Sequence, residues 1–588
     1  MTTDIFSAPA MPLGLAVAPD GTQVALLFLP LGQQGPARLV IFRVNTPATA
    51  TEIPLAEMLP PAGHPPQALT WSADGSMLAF TAPNARVPMR SDLYVLSLAT
   101  GHIRSLTPTL GLSVQYPSWD PDGRSLACST FEPPVRPGLP GHLFTVAVAD
   151  GQIVQRTFGT TINVMPQFAP DGQALAFLRV TGSETSFTGD IWLLDLRTGT
   201  ERQLTRSSRI EELGPQCFSP DGAHLVVEDG LSDARRIGVV GVATAALRWL
   251  TPPDVVAQSP RWAATGDGIA FVDRGQRAVQ IVAPDGTLRW TVVPSGRGAR
   301  TGSSLTLNWA ARARVLALLD SDRNVWVWTP QGPLTQLTFF PPWEVRYQYE
   351  RITYPAPDAA SVPALLYAPP DADLQHRRAV IWVHGGPQSQ ADPRFAYLQA
   401  LAAAGFVVLA PDYRGTAGYG EAWQRLQPDD IGMLELQDVV AGWDFLVRQE
   451  LAKSERVSIA GNSYGGYLTL LALARFAERW AAGVSLWGAW DARSLASVVL
   501  RRLDRDAAWF AERSPLVMIE RVRAPLLILH GAHDTASTVE QVQAAATTLR
   551  RQGNVCELKI FWDDGHGLSR HTNECCELMT AFLRRYLA

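Results

Sequence analysis

The sequence is sparing in cysteine. Five occur in 588 residues: Cys128, Cys217, Cys556, Cys575 and Cys576. A small, odd set excludes a disulfide framework and fits a reducing compartment. The adjacent Cys575 and Cys576 read as two thiols on a terminal helix rather than as a redox pair. No zinc-ligand spacing occurs, so neither a metal nor another cofactor is expected. No secretory leader is expected either, because "MTTDIFSAPAMPLG" has neither a basic n-region nor an apolar h-region. No apolar run is long enough to span a bilayer. The expectation is a cytoplasmic protein with no membrane partner. Charge of either sign is not in excess. Lys and Arg number 50 against 55 Asp and Glu, a net charge of −5, which leaves no footprint for a nucleic-acid partner.

What the sequence does have is length and repetition. A chain of 588 residues exceeds one ordinary core, so two or more domains are expected. The first part repeats itself: "LAVAPDGTQVALLF", "LTWSADGSMLAFTA", "PSWDPDGRSLACST", "PQFAPDGQALAFLR", "QCFSPDGAHLVVED", "PRWAATGDGIAFVD", "LNWAARARVLALLD". Each copy is an apolar run, a turn and an alternating apolar run. The turn is Asp-Gly in the first five, ending at Gly21, Gly75, Gly123, Gly172 and Gly222. Asp-Gly tolerates the positive φ that a tight hairpin needs. Aromatic residues Trp71, Trp119, Phe168, Phe218 and Trp262 recur in one register, and Trp309 keeps it in the last copy. A second strand pair follows, as in "SDLYVLSLATGHIRSLT" and "GDIWLLDLRTGTERQLT". Two hairpins in a period of roughly 45–50 residues make a propeller blade. The pattern therefore predicts an N-terminal all-β seven-bladed β-propeller, residues 1–340. That signal is nearly silent on function.

Residues 341–588 follow another grammar, beginning at the pair Pro341-Pro342. Short apolar strands such as "RRAVIWVHGG", "FVVLAPDYR", "RVSIAGNS", "AAGVSLWGA" and "APLLILHGAHD" alternate with helical stretches. One of these, "MLELQDVVAGWDFLV", sets Leu436, Val439, Val440, Trp443 and Leu446 on a single face. This predicts a mostly parallel sheet covered on both sides, a C-terminal α/β-hydrolase fold.

Gly461, Ser463 and Gly465 form G-x-S-x-G between a strand and a helix, the context of a nucleophile elbow. A serine hydroxyl needs a base, and the base needs an orienting acid. Downstream, Asp534 ends one apolar strand and His566 ends the next. Both are therefore expected on the edge where Ser463 emerges. Asp563 and Asp564 compete as the acid, but they precede His566 so closely that they cannot easily reach its far nitrogen. His530 and His533 compete as the base. One falls at the strand end, and the other precedes the acid. The oxyanion made by attack needs positioned donors. The N–H of Tyr464 directly follows the nucleophile. The N–H of Gly386 lies in the loop "HGGPQSQ", where glycine lets backbone approach a substrate. His384 precedes that loop and reads as a structural hydrogen-bonding residue.

The stretches "HGGP", "PDYRGTAGYG", "GNSYGGY", "SPL…RVRAPLLILHGAHD" and "DDGHG" resemble the prolyl oligopeptidase family of serine peptidases. They are most similar to its acylaminoacyl-peptidase branch. The motifs run through nearly the whole second half, and the family's propeller-then-hydrolase architecture covers the rest. The resemblance implies a triad of Ser463, Asp534 and His566, with Gly386 and Tyr464 as oxyanion donors. It also implies a peptidase for short peptides, its site covered by the propeller. Dipeptidyl-peptidase and prolyl-oligopeptidase branches often supply a tyrosine hydroxyl near the HGGP position. None stands here, which favours the acylaminoacyl branch and release of N-acylated amino acids. Two departures bear on specificity: "TAST" follows Asp534 where the family often has Val-Pro, and the segment from Trp490 to Ser514 is short.

Trp487, Trp490, Trp509 and Phe510 lie in a region that often builds the specificity pocket in the family. They suit a large apolar substrate residue, with core packing as the competing reading. Arg414 either contacts substrate or pins its loop. The alternatives are a dipeptidyl peptidase, with Glu211 and Glu212 receiving a free amino group, and an esterase or amidase for small molecules. A non-enzymatic binding platform is the remaining alternative. A homo-oligomer stays open.

Overall fold

The structure, a computed structural model, describes residues 10–30, 37–46, 49–53, 55, 67–84, 90–132, 140–180, 189–206, 210, 213–229, 235–253, 255–274, 276, 278–293, 306–320, 323–341, 345–369, 377–426, 431–495, 506–534 and 536–587. They fall into two compact units, with the main division after Pro342.

The first unit is a seven-bladed β-propeller. Six antiparallel sheets of four strands and one of three follow each other in chain order. The Asp-Gly turns sit where the repeats put them, and each of the five glycines has φ between 70° and 80°. The aromatic register has a physical cause. The Trp71 indole N–H donates to the Ala16 carbonyl of the preceding blade, and that of Trp119 donates to Thr70. A second device recurs in five blades, just after the last strand. Buried Thr107, Thr157, Thr205, Thr251 and Thr338 each accept, through Oγ1, the N–H of Leu93, Leu143, Ile191, Ile237 or Val325 at 2.7–3.0 Å. Each hydroxyl stands in for a missing ladder partner, since an unpaired buried N–H is costly. The ring closes without an exchanged strand among the described residues. Val17 N–H donates to Asn308 Oδ1 (2.9 Å), and Arg312 N–H donates to the Pro19 carbonyl (2.7 Å).

The three-stranded blade departs from the repeat. Among the described residues its expected first strand reduces to one bridge, Phe218 to Leu225. Gln216 has φ 58°, its carbonyl accepts Trp262 N–H, and its side chain bonds both backbone groups of Trp309. The Gln216 backbone thus engages the next blade and its side chain the one after.

The second unit has an α/β-hydrolase fold. Its strands are β1 (Glu350–Pro355), β2 (Ser361–Tyr367), β3 (Ala379–Val383), β4 (Val407–Pro411), β5 (Val457–Asn462), β6 (Gly483–Leu486), β7 (Leu526–Gly531) and β8 (Cys556–Phe561). The sheet order is β1-β2-β4-β3-β5-β6-β7-β8, antiparallel at β1, β2 and β4 and parallel from there on. Strands β3 to β5 are buried at nearly every position, as a sheet covered on both faces requires. One face carries α2 (Leu434–Arg448), α3 (Tyr464–Arg475) and α4 (Val539–Arg551). The other carries α1 (Ala396–Ala403) and α5 (Thr572–Tyr586). Cys575 and Cys576 pack on α5 as free thiols that burial pushes up to about 12. Among the described residues no helix is long and apolar enough to cross a membrane.

Candidate active site

Ser463 stands between β5 and α3 with φ 53° and ψ −118°, a strained conformation for a residue with a side chain. The flanking glycines explain how the turn closes. A Cβ at Gly461 would lie 2.5 Å from the Gly465 carbonyl oxygen, and one at Gly465 would lie 1.9 Å from that of Val383. Only hydrogen fits there, so the chain can reverse tightly and push the serine out at the strand end. Ser463 N–H is held by the Leu486 carbonyl at 2.9 Å.

The parallel sheet brings β5, β7 and β8 to the same edge. Ser463 Oγ lies 2.8 Å from His566 Nε2, and His566 Nδ1 lies 2.9 Å from Asp534 Oδ2. The Asp534 carboxylate only accepts, so Nδ1 carries the proton and Nε2 is left to take one from the serine. The acid is itself fixed, for its side chain is fully buried and Oδ1 accepts Ala536 N–H at 2.7 Å. The competing acids are engaged elsewhere. Asp564 accepts the N–H groups of Gly565 and Arg570, and Asp563 pairs with His571 at 2.8 Å. His530 is buried, with Nε2 3.0 Å from the Ser537 carbonyl, and burial lowers its pKa.

The loop after β3 runs beside the serine. A Cβ at Gly385 would come 3.2 Å from Ser463 Cβ, and Gly386 has φ 44°. His384 anchors the loop rather than facing it. Its ring stacks on Tyr413 at 4.2 Å, Nδ1 lies 3.0 Å from the Gly385 carbonyl, and Nε2 lies 3.0 Å from Thr416 Oγ1. Burial lowers its pKa. Arg414 pins the neighbouring loop. It makes paired bonds to buried Asp438 (2.6 and 2.8 Å) and to Asp358 (2.8 and 3.1 Å).

The four aromatic residues expected in a specificity pocket divide. Trp487, Trp490 and Phe510 are 4%, 0% and 5% exposed and belong to the apolar core. For these three the competing reading, core packing, describes their surroundings, because a side chain enclosed by its own fold offers no open wall. Trp509 is partly exposed and stacks under the Arg513 guanidinium at 4.4 Å. Glu211 and Glu212 lie outside the described residues. Sequence reasoning missed Glu435 and Asp438, both fully buried beside the site. In the helical pattern of α2 they look like ordinary polar-face residues. Among the described residues no group of three or more His, Cys, Asp and Glu gathers to hold a metal.

A hydroxyl, an imidazole and a carboxylate in this order can move a proton off the hydroxyl as its oxygen attacks a carbonyl carbon. Residues 393–588 match the sequence profile of the prolyl oligopeptidase family. The matched stretch lies within the second unit. Among curated relatives, the chain is similar to Dipeptidyl-peptidase 5 of Porphyromonas gingivalis. The two are 22% identical over 86% of this chain and 64% of the relative. It is also 27% identical to Acylamino-acid-releasing enzyme 2 of Oryza sativa subsp. japonica, over 34% of this chain and 28% of the relative. The chain thus spans less than two thirds of either relative. A puromycin-hydrolyzing peptidase of Mycobacterium tuberculosis shares the fold. Its TM-score is 0.78 at 19% identity, covering 100% of this chain and 96% of that one.

Proposed function

We propose that this prolyl oligopeptidase family peptidase hydrolyses short peptides through an acyl-enzyme on Ser463 and releases N-acylated amino acids. The observation that carries the reading is the unbroken chain Ser463–His566–Asp534, at 2.8 and 2.9 Å. In this reading Ser463 Oγ attacks the scissile carbonyl and its proton passes to His566 Nε2. The N–H groups of Gly386 and Tyr464 receive the oxyanion, and His566 then protonates the leaving amine. Water hydrolyses the ester by the same route in reverse. The acylaminoacyl preference is supported by the HGGP-type loop, which lacks a nearby tyrosine in sequence, and by the likeness to an acylamino-acid-releasing enzyme. A blocked amino terminus needs only apolar contact and hydrogen bonds, whereas a free ammonium needs a buried acidic partner.

A second reading, dipeptidyl peptidase, is favoured by the alignment with Dipeptidyl-peptidase 5 over 86% of the chain. The deciding experiment is a panel of acetyl-Leu and acetyl-Phe anilides, matched free dipeptide anilides, blocked peptides and short esters, with intact casein as the size control. The acetylated substrates are expected to have the highest kcat/KM, with casein left uncut. Free dipeptides winning by ~10-fold or more, with the advantage lost in Glu211→Gln/Glu212→Gln, would replace this reading with the second.

A further inference from the structure

We propose that Glu435 is a positioning residue for the oxyanion: through the Tyr464 hydroxyl it fixes the first residue of α3 and thereby aims the Tyr464 N–H. This rests on the reading of Ser463 as nucleophile and of that N–H as donor. Glu435 is fully buried in the first turn of α2. Its Oε1 accepts both the Tyr464 hydroxyl and the Gly432 N–H. The first turn of a helix favours a negative charge, so this is a suitable place for a buried carboxylate. Tyr464 is 1% exposed, and burial, with Glu435 second, raises its pKa well above the ordinary tyrosine value. The phenol therefore stays a donor. Gly432 packs against the neighbouring tyrosine, for a Cβ there would meet the Tyr467 hydroxyl at 2.3 Å.

The same buried layer reaches the other donor segment. Tyr464 packs 5.4 Å from Tyr467 and 6.3 Å from Tyr413, measured between ring centres. The Tyr413 hydroxyl donates to the His384 carbonyl at 3.0 Å, just ahead of Gly385 and Gly386. A carboxylate at one end of this tyrosine layer thus holds the residue after the nucleophile, and a hydroxyl at the other holds the loop opposite. Core packing alone would be served by phenylalanine at position 464. A hydroxyl bound to a buried carboxylate fixes the ring's position along its own axis, which is the direction that moves the attached backbone.

The test uses the full-length enzyme. Tyr464→Phe keeps the ring volume and removes the bond. It is expected to lower kcat ~10-fold and to weaken a peptidyl boronic acid, a mimic of the tetrahedral state, by a similar factor, with KM within ~2-fold. Glu435→Leu should match it, and the double variant should show no further loss, because both act through one bond. Glu435→Gln keeps an acceptor oxygen and should recover most of the rate. The proposal is overturned if folded Tyr464→Phe keeps kcat and boronate affinity within ~2-fold of the parent enzyme. It is equally overturned if the two single losses multiply. Should Glu435→Leu not fold, Tyr464→Phe decides alone. If Ser463→Ala still turns over, the nucleophile reading itself has failed. If Ser463→Ala is silent and Tyr464→Phe is fully active, only the positioning role falls.

Discussion

The two units of this chain solve the burial of polar groups in opposite ways. The propeller uses one device many times. Five blades each pair a third-strand N–H with a threonine hydroxyl at 2.7–3.0 Å. The hydrolase unit uses each device once: Ser463 to His566, His566 to Asp534, Arg414 to Asp438, Tyr464 to Glu435. Repetition spreads stability over equivalent parts, so losing one copy leaves the others in place. A singular constellation has no spare, and chemistry depends on each member. If the contrast is right, substitutions in the two units should separate activity from stability.

The sharpest separation is expected at Ser463. Ser463→Ala should lower kcat by ~10⁵–10⁶-fold and leave the thermal unfolding midpoint nearly unchanged. A fluorophosphonate should label the parent at Ser463 alone, which peptide mass spectrometry would check. Labelling elsewhere would break the comparison at its centre.

Next comes the acid. Asp534→Asn should cost ~10⁴-fold in kcat, because the amide cannot hold the required tautomer or stabilise the imidazolium. Asp563→Asn and Asp564→Asn should stay within ~3-fold, since these carboxylates bond His571 and local backbone instead. Steady-state kinetics on one acetylated anilide would compare all three.

Arg414 tests the singular parts for stability. Arg414→Met leaves the buried Asp438 carboxylate unpaired and should destabilise the hydrolase unit by ~3–5 kcal/mol, read from denaturant unfolding. Asp358→Asn removes the exposed partner, whose side chain is 48% exposed, and should cost under ~1 kcal/mol. The pH dependence of that small term has a fixed sign. Hydrogen bonds from Arg414 hold the Asp358 carboxyl down to about 2 from 3.8. A depressed acid stabilises above its ordinary value. The difference between parent and Asp358→Asn should therefore be full above 3.8 and vanish as pH falls to about 2.

The repeated device is expected to touch stability and not activity. Thr205→Val leaves Ile191 N–H buried without its acceptor and should cost ~1–3 kcal/mol in the propeller. Thr107→Val and Thr251→Val should cost about the same, and kcat should not change in any of them. Unequal costs would mean that the blades are not equivalent parts.

Legibility in the sequence follows the same division. Turn chemistry and period are local properties, so seven blades, the Asp-Gly turns and the aromatic register could be read without coordinates. The elbow was equally legible, since Gly461 and Gly465 answer a steric demand made within a few residues of Ser463. Strand order and chain order then put Asp534 and His566 on one edge. The rest depended on distant partners. Trp487, Trp490 and Phe510 stand in the right region for a pocket, yet their neighbours come from several strands and helices, and those neighbours bury them.

The sequence by itself determined what short-range physics controls: the two fold classes, the boundary region between them, the turn positions and the strained serine between its glycines. The tertiary structure decided what depends on closure of the chain. It supplied the partners of Asp563, Asp564 and His384, whose structural roles were already expected, and it buried Glu435 against the Tyr464 hydroxyl. It gave non-glycine residues Tyr116 and Met165 a positive φ on the first strands of their blades, and it tied Gln216 to Trp309. A hydrogen bond between residues 93 positions apart, such as Trp309 to Gln216, leaves no periodic trace in the sequence. Its cost and gain arise only when the fold brings the two groups out of water together.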